Sequence, residues 1–254
     1  MVVLATPGRT ARLGRTAGPR PAVVRGAVLL LPGGPEASAR RPSALRAAAL
    51  LNTLGRRLAL AGRADGLAVH VVHYRCRGWN GDRADPARDA AWAVEEAVRR
   101  YGDVPVCLAG HGMGGRAALR AGGHEAVRSV VAVAPWLPED DTAAGPEPVK
   151  QLTGRYVLIV HGTRDLRTDP ELSFSFAARA KKANRNVCRF EVQTDGHGLR
   201  QYRAEVAALT ADFVRGTLFG HEFARPVRDA LAAPPPIGLR MPLASGFGRP
   251  PRRR

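Results

Sequence analysis

Short apolar runs and stretches of helical periodicity alternate along most of the chain. Ala27–Leu31, Leu67–Val72, Val104–Ala109, Val127–Val133 and Tyr156–Val160 are compact apolar runs, mostly bounded by Gly, Pro or polar residues, which is how strands buried on both faces read. Val187–Val192 is a sixth run, interrupted by Arg189 and Glu191, and is expected to be the last strand and nearer a sheet edge. Leu50, Leu54 and Leu58 recur at helical spacing within about 43–61. Asp85-Pro86 predicts a second helix start, with an N-cap acid and a first-turn proline, and Ala87, Ala91, Val94 and Val98 as its apolar face. Further helices are expected at 116–120, near 169–182 and near 200–216. Val2–Leu4 and Ala22–Val24 read as weak edge strands. This alternation predicts an α/β fold, a parallel-dominated sheet with helices on both faces. No internal repeat breaks it.

Composition narrows the picture. A chain of 254 residues favours one compact domain. Mean hydropathy is −0.18, and no apolar run approaches the roughly 20 residues that span a bilayer, so no membrane partner is expected. Cys76, Cys107 and Cys188 are odd in number and far apart, which argues against a disulfide scaffold or a Cys-rich zinc module. The net charge is +17, but much of it is terminal. The first 26 residues hold five Arg and no acid, the last 34 seven Arg against two acids, and the 194 between carry +7. Neither basic-aromatic interleaving nor a helix-turn-helix pattern accompanies the charge, so it reads as a solvated Arg-rich surface and not as a nucleic-acid site. Pro234-Pro235-Pro236, isolated glycines and Arg252-Arg253-Arg254 predict a disordered tail. The expected organisation is a flexible basic segment over 1–21, the α/β domain over 22–220 and the tail over 221–254. Val2–Ala5 is too short for a secretory core and Arg40-Arg41 too deep for a twin-Arg signal, which leaves a cytoplasmic expectation compatible with free thiols.

Chemistry concentrates at Gly110-His111-Gly112-Met113-Gly114-Gly115, between a predicted strand and a predicted helix. The frame is that of a nucleophile elbow, G-x-S-x-G, which presents its central residue at the sheet edge beside a helix N-terminus. Here that residue is Gly112, with no side chain to attack with. Acyl transfer needs a nucleophile, a base within reach, an orienter for the base and two donors for the developing oxyanion.

On these residues the chain resembles the α/β-hydrolase family over about 22–218. Five of the six elbow positions match the family's G-H-S-M-G-G. The resemblance extends to a set of small, capless members through the Arg77-Gly78-Trp79-Asn80-Gly81 loop and Ala134-Pro135-Trp136, and only about 20 residues separate Trp136 from Tyr156, too few for a large cap domain. It implies Asp165, in His161-Gly162-Thr163-Arg164-Asp165, as the acid and His197, in Asp195-Gly196-His197-Gly198, as the base. Gly34, in Leu31-Pro32-Gly33-Gly34, and Met113 would supply the oxyanion-hole amides, with Gly112 at the nucleophile position, inert. The implied function is hydrolysis of small ester or acyl compounds, weak or absent without the serine, with no cofactor and no metal. The alternative is a pseudoenzyme binding a small ligand in the same pocket. Gly112 itself has three accounts: a pseudoenzyme with a retained binding pocket, slow hydrolysis by a water that His197 activates, or a sequencing error or engineered change, one base away from a serine codon.

Other residues have plainer readings. Asp195 is a rival acid that more simply shapes its turn. His111 reads as a packing or hydrogen-bonding residue and Cys107 as an inert core thiol. Cys76, in a loop at the catalytic edge, is a weak candidate for a substitute nucleophile. Ser173 and Ser175 read as helix-surface residues. His70 and His73 have no carboxylate at metal-ligand spacing. Trp79, Trp136 and Tyr74 are expected either as pocket walls or in the core.

Overall fold

In the computed structural model, residues 10–18, 21–40, 44–139 and 145–249 are described, apart from the side chains of 44–50 and 52. The elements in chain order are β1 (Arg12–Thr16), β2 (Gly26–Leu31), α1 (Ala44–Ala61), β3 (Leu67–His73), α2 (Asp85–Tyr101), β4 (Val106–His111), α3 (Met113–Ala121), β5 (Val127–Val133), β6 (Tyr156–Gly162), α4 (Pro170–Ala183), β7 (Val187–Val192), α5 (Arg203–Phe219), α6 (Arg225–Ala232) and β8 (Met241–Pro242). The eight strands form one sheet in the order β1-β3-β2-β4-β5-β6-β7-β8. Every neighbouring pair is parallel except β1 and β3.

The apolar runs become central strands because both faces are covered. Along β2, Leu29 and Leu31 lie on the sheet face that α2, α3 and α4 cover, while Val28 and Leu30 lie on the face that α1, α5 and α6 cover. The same alternation holds for Leu108 and Cys107 in β4, and for Ile159 and Leu158 in β6. Between β5 and β6 the described residues hold one single-turn helix, Lys150–Leu152, and no cap domain. Among the described residues no helix is long and apolar enough to cross a membrane.

The chain departs from the sequence expectations at both ends. Val2–Leu4 lies outside the described residues, and 22–24 is irregular. The edge strand lies between them at 12–16, inside the segment expected to be flexible. It pairs Leu13 with Val72 and buries only that one apolar side chain over Arg, Gly and Thr, which gives an edge strand a weak sequence signal. At the other end, the expected disordered tail from 221 is corrected. Residues 225–232 form α6, and Phe190 and Glu191 of β7 pair with Met241 and Pro242 of β8. Val227, Ala230, Leu239 and Leu243 are buried. Two cations hold this segment through its main chain. Lys181 Nζ donates to the Ala230 and Leu231 carbonyls at 3.3 and 3.0 Å, where helix carbonyls lack intrahelical donors. Arg189, wholly buried on β7, donates to the Leu239 carbonyl at 2.9 Å and to Glu191 at 2.8 Å. A chain ended at Gly220 should therefore lose on the order of 5 kcal/mol, from several buried aliphatic side chains worth about 1.5–3 kcal/mol each. Thermal melts of the full and shortened chains check this, and equal midpoints would refute it.

Candidate active site

Loops after the parallel strands meet at the C-terminal end of the sheet, where α/β sheets place their ligands. β4 turns into α3 at Gly112, with φ 57° and ψ −120°, a backbone that a side chain tolerates only under strain. The Gly112 amide donates to the Val133 carbonyl at 2.9 Å, and the Trp136 amide donates to the Gly112 carbonyl at 3.1 Å, so the loops after β4 and β5 are tied together. After β2, Gly34 sits so close to the Arg77 carbonyl and the Met113 side chain that a Cβ there has no room. The 77–81 loop clamps that region: the Trp79 amide donates to the Pro35 carbonyl at 3.2 Å, and Asn80 Oδ1 accepts from the Ser38 amide at 2.9 Å. Met113 opens α3, so its amide has no partner within its own helix.

Asp165 and His197, from the loops after β6 and β7, are brought together. His197 Nδ1 donates to Asp165 Oδ2 at 2.9 Å. Asp165 Oδ1 accepts from the Arg167 and Thr168 amides at 2.8 and 3.1 Å, and Oδ2 also accepts from the Thr168 hydroxyl at 2.7 Å. Burial pushes the Asp165 carboxyl up, but the hydrogen bonds from His161, Thr168, the Arg167 amide and His197 outweigh it and hold the group far below the usual carboxylate range. The His197 side chain keeps 20% exposure, so its ring is reachable from solvent. A Cβ on residue 112 would lie 3.5 Å from His197 Nε2 and 3.6 Å from Cε1, with no other heavy atom of the described residues within 4 Å beyond its chain neighbours.

Asp195 shapes its loop, accepting from the amides of Gly196, Arg200, Gln201 and Tyr202. His111 packs edge-on against the His197 ring, and its Nε2 lies 2.8 Å from the His197 carbonyl, to which it donates. Burial pushes the His111 imidazole down to about 4, against the raising effect of that carbonyl. The ring is thus neutral in the fold while the unfolded chain protonates near 6.5. The stability this contributes is fully present above about pH 6.5 and is lost as pH falls towards 4. His111→Gln keeps a donor for the carbonyl and should flatten the fall in melting temperature between pH 6.5 and 4; an unchanged slope would refute the assignment.

Several residues differ from their sequence readings. Ser173 is buried, not on the helix surface: its hydroxyl lies 2.8 Å from His161 Nδ1 and accepts from Arg189 Nε at 3.0 Å. Asp85 does not cap α2. Ala84 is the N-cap, and the buried Asp85 carboxylate accepts from Asn80 Nδ2 at 2.8 Å and from Cys76 Sγ at 3.3 Å. Burial, with Asp85 adding to it, pushes the Cys76 thiol up to about 11, which removes it as a substitute nucleophile. Cys107 and Cys188 are wholly buried, with thiols pushed up to about 12 by burial. Tyr74 is a core residue. Trp79 and Trp136 do line a cleft of about 670 Å³ with Arg116, Arg167, Thr168 and Leu172. Their rings meet edge to face at 6.2 Å, and the Arg116 guanidinium makes cation–π contacts with both, 4.1 Å from the Trp79 centroid and 4.9 Å from that of Trp136.

Sequence reasoning missed His161 and Thr168. His161 Nε2 lies 3.3 Å from Asp165 Oδ2, and the Thr168 hydroxyl lies 3.2 Å from His197 Nδ1. The available signal was a histidine at the end of an otherwise apolar strand and a hydroxyl three residues past the acid.

A model of the Alpha/beta hydrolase family matches residues 28–245. Among solved structures, TT1662 from Thermus thermophilus shares 18% identity at a TM-score of 0.59, over 84% of this chain and 100% of that one. A Pyrococcus furiosus esterase, Pf2001, shares 17% identity at 0.58, over 83% and 91%. Est1E from Butyrivibrio proteoclasticus shares 15% at 0.57, over 82% and 93%. A search of curated proteins finds no match. The sheet order, the loops gathered at the strand ends and the match over 28–245 agree: the chain belongs to the alpha/beta hydrolase family.

Proposed function

We propose that this is a hydrolase of small ester or acyl compounds disarmed at one position, so that it binds its ligand and turns it over weakly or not at all. The observation that carries this reading is the place of residue 112: a Cβ there would face His197 Nε2 at 3.5 Å, with Asp165 already bonded to the far side of the ring. A serine hydroxyl on that carbon falls within hydrogen-bond reach of the imidazole, the relation a nucleophile and its base require. Met113 and Gly34 are assigned to the oxyanion, because the first amides of a helix are free donors and no side chain can intervene at Gly34. Asp165 holds the ring and favours the imidazolium that forms when His197 takes a proton.

Without the hydroxyl, His197 can draw a proton only from a water or alcohol above Gly112. The hydroxide or alkoxide adds to the acyl carbon, and the protonated ring returns its proton to the leaving oxygen. No acyl-enzyme forms on this route. The ligand class draws support from the fold neighbours, one of which, Est1E, is known with ferulic acid bound. The unpaired, buried cysteines support a cytoplasmic protein. The test is paired fluorophosphonate labelling of the chain and its Gly112→Ser variant. Labelling of the variant alone supports the reading; labelling of neither, with both folded, overturns it.

A further inference from the structure

Asp165 stands between two imidazoles, and only one of them, His197, is exposed to solvent. His161, the penultimate residue of β6, is wholly buried. Its Nε2 is 3.3 Å from Asp165 Oδ2, 3.1 Å from the Thr168 carbonyl and 3.2 Å from the Thr168 hydroxyl. The carboxylate and the carbonyl can only accept, and the Thr168 hydroxyl spends its proton on Asp165, so Nε2 carries a hydrogen in either charge state. The other nitrogen is fixed too. Ser173 Oγ, 2.8 Å from Nδ1, is itself held by Arg189 Nε at 3.0 Å and lies 2.8 Å from the Pro170 carbonyl. The ring is thus pinned at both ends, from α4 and β7 on one side and from the 165–168 turn on the other.

The carboxylate needs such a hold. Its Oδ2 serves three donors, His197, Thr168 and His161, and the Asp165 carboxylate and Thr168 hydroxyl that orient His197 both lean on the His161 N–H. We propose that His161 is a positioning residue of this site: a second, inward imidazole that fixes Asp165 and Thr168 in the orientation that keeps the Asp165–His197 bond. This rests on the reading of Asp165 and His197 given above. The groups that face the cluster from its neighbours are His197 and His111 on the open side and Arg189, paired with Glu191, behind Ser173.

The sign of one shift decides the matter. If His161 merely competes for the lone pairs of Asp165, removing it strengthens the Asp165–His197 bond and raises the pH at which His197 titrates. If it positions Asp165, removing it loosens that bond and lowers that pH. Ring ¹⁵N spectra of the histidine-labelled chain, followed across the titration, report the His197 tautomer and midpoint without any need for activity. His161→Phe should lower the midpoint by about half a pH unit or more and blur the Nδ1–H tautomer. His161→Gln, which keeps an N–H in the Nε2 place, should leave both near those of the parent. If His161→Phe fails to fold, Ser173→Ala frees the ring and should move the midpoint the same way by less. A midpoint unchanged or raised overturns the proposal.

A second arm uses the Gly112→Ser background, where His161→Phe should lower kcat by about ten- to a hundredfold, the scale of a misplaced catalytic group, with KM little changed and His161→Gln restoring most of the loss. A loss that appears in KM instead would also overturn it. If Gly112→Ser is itself inert, the hydrolase reading fails, and the spectra still decide the part of His161.

Discussion

Gly112→Ser is expected to turn an unlabelled chain into one that reacts with a fluorophosphonate and hydrolyses short-chain esters. Removing the nucleophile of a Ser-His-Asp triad costs on the order of 10⁶ in kcat, so restoring it to an otherwise assembled site should raise turnover by several orders of magnitude. The Asp165–His197 bond at 2.9 Å and the 3.5 Å from a residue-112 Cβ to His197 Nε2 mean that no other side chain has to move. His197→Ala in the same background should abolish the gain, because the hydroxyl then has no base. The variant should also be less stable. At φ 57° and ψ −120° a serine carries strain of about 1–3 kcal/mol that glycine avoids. Activity gained at a lower melting temperature is the expected signature. A stable variant with no gain would overturn the hydrolase reading.

The second large effect lies in the cleft wall. Glu147, wholly buried, accepts from Arg116 Nε at 2.6 Å and from Arg120 Nε at 2.5 Å. Arg116 is itself buried, with its guanidinium carbon 4.1 and 4.9 Å from the Trp79 and Trp136 ring centroids. Glu147→Leu strands that guanidinium away from water, and breaking a buried pair from one side costs about 3–5 kcal/mol. In a chain of this size that is a fall of roughly 10 °C in melting temperature. Adding Arg116→Met removes the stranded charge and should recover most of the loss, since an apolar replacement of both partners is often neutral. A single variant within about 1 kcal/mol of the parent, measured by denaturant titration, would show that the Trp faces and cleft water carry Arg116 unaided.

The sequence was most legible where burial is symmetric. Strands covered on both faces need continuous Val, Leu and Ile, and β2, β4, β5 and β6 supply them, so the sheet could be read from composition over short windows. Gly112, Met113, Gly34, Asp165 and His197 each follow or end a strand, which is why the loops that carry them meet. What escaped were contacts set by tertiary geometry. Nothing local says that Ser173 turns inward, since a helix serine reads the same on either face; only Arg189 and His161 behind it explain the choice. Asp85-Pro86 had the composition of a cap, but Asn80, Arg83 and Cys76 compete for the carboxylate and win it. The last thirty residues looked unstructured because proline and arginine outnumber apolar residues there, whereas Val227, Ala230, Leu239 and Leu243 suffice once β7 offers them a surface.

The way that segment is fastened has an evolutionary corollary. Lys181 and Arg189 grip the carbonyls of Ala230, Leu231 and Leu239, and a carbonyl is offered by every amino acid. Much of the instruction for docking is therefore written in α4 and β7, to which the segment adds its own Arg240, paired with Glu171 and Glu191. The rest of the segment is free to drift, provided the buried positions of Val227, Ala230, Leu239 and Leu243 stay apolar. Relatives should then keep the two cations while their C-terminal sequences diverge beyond recognition.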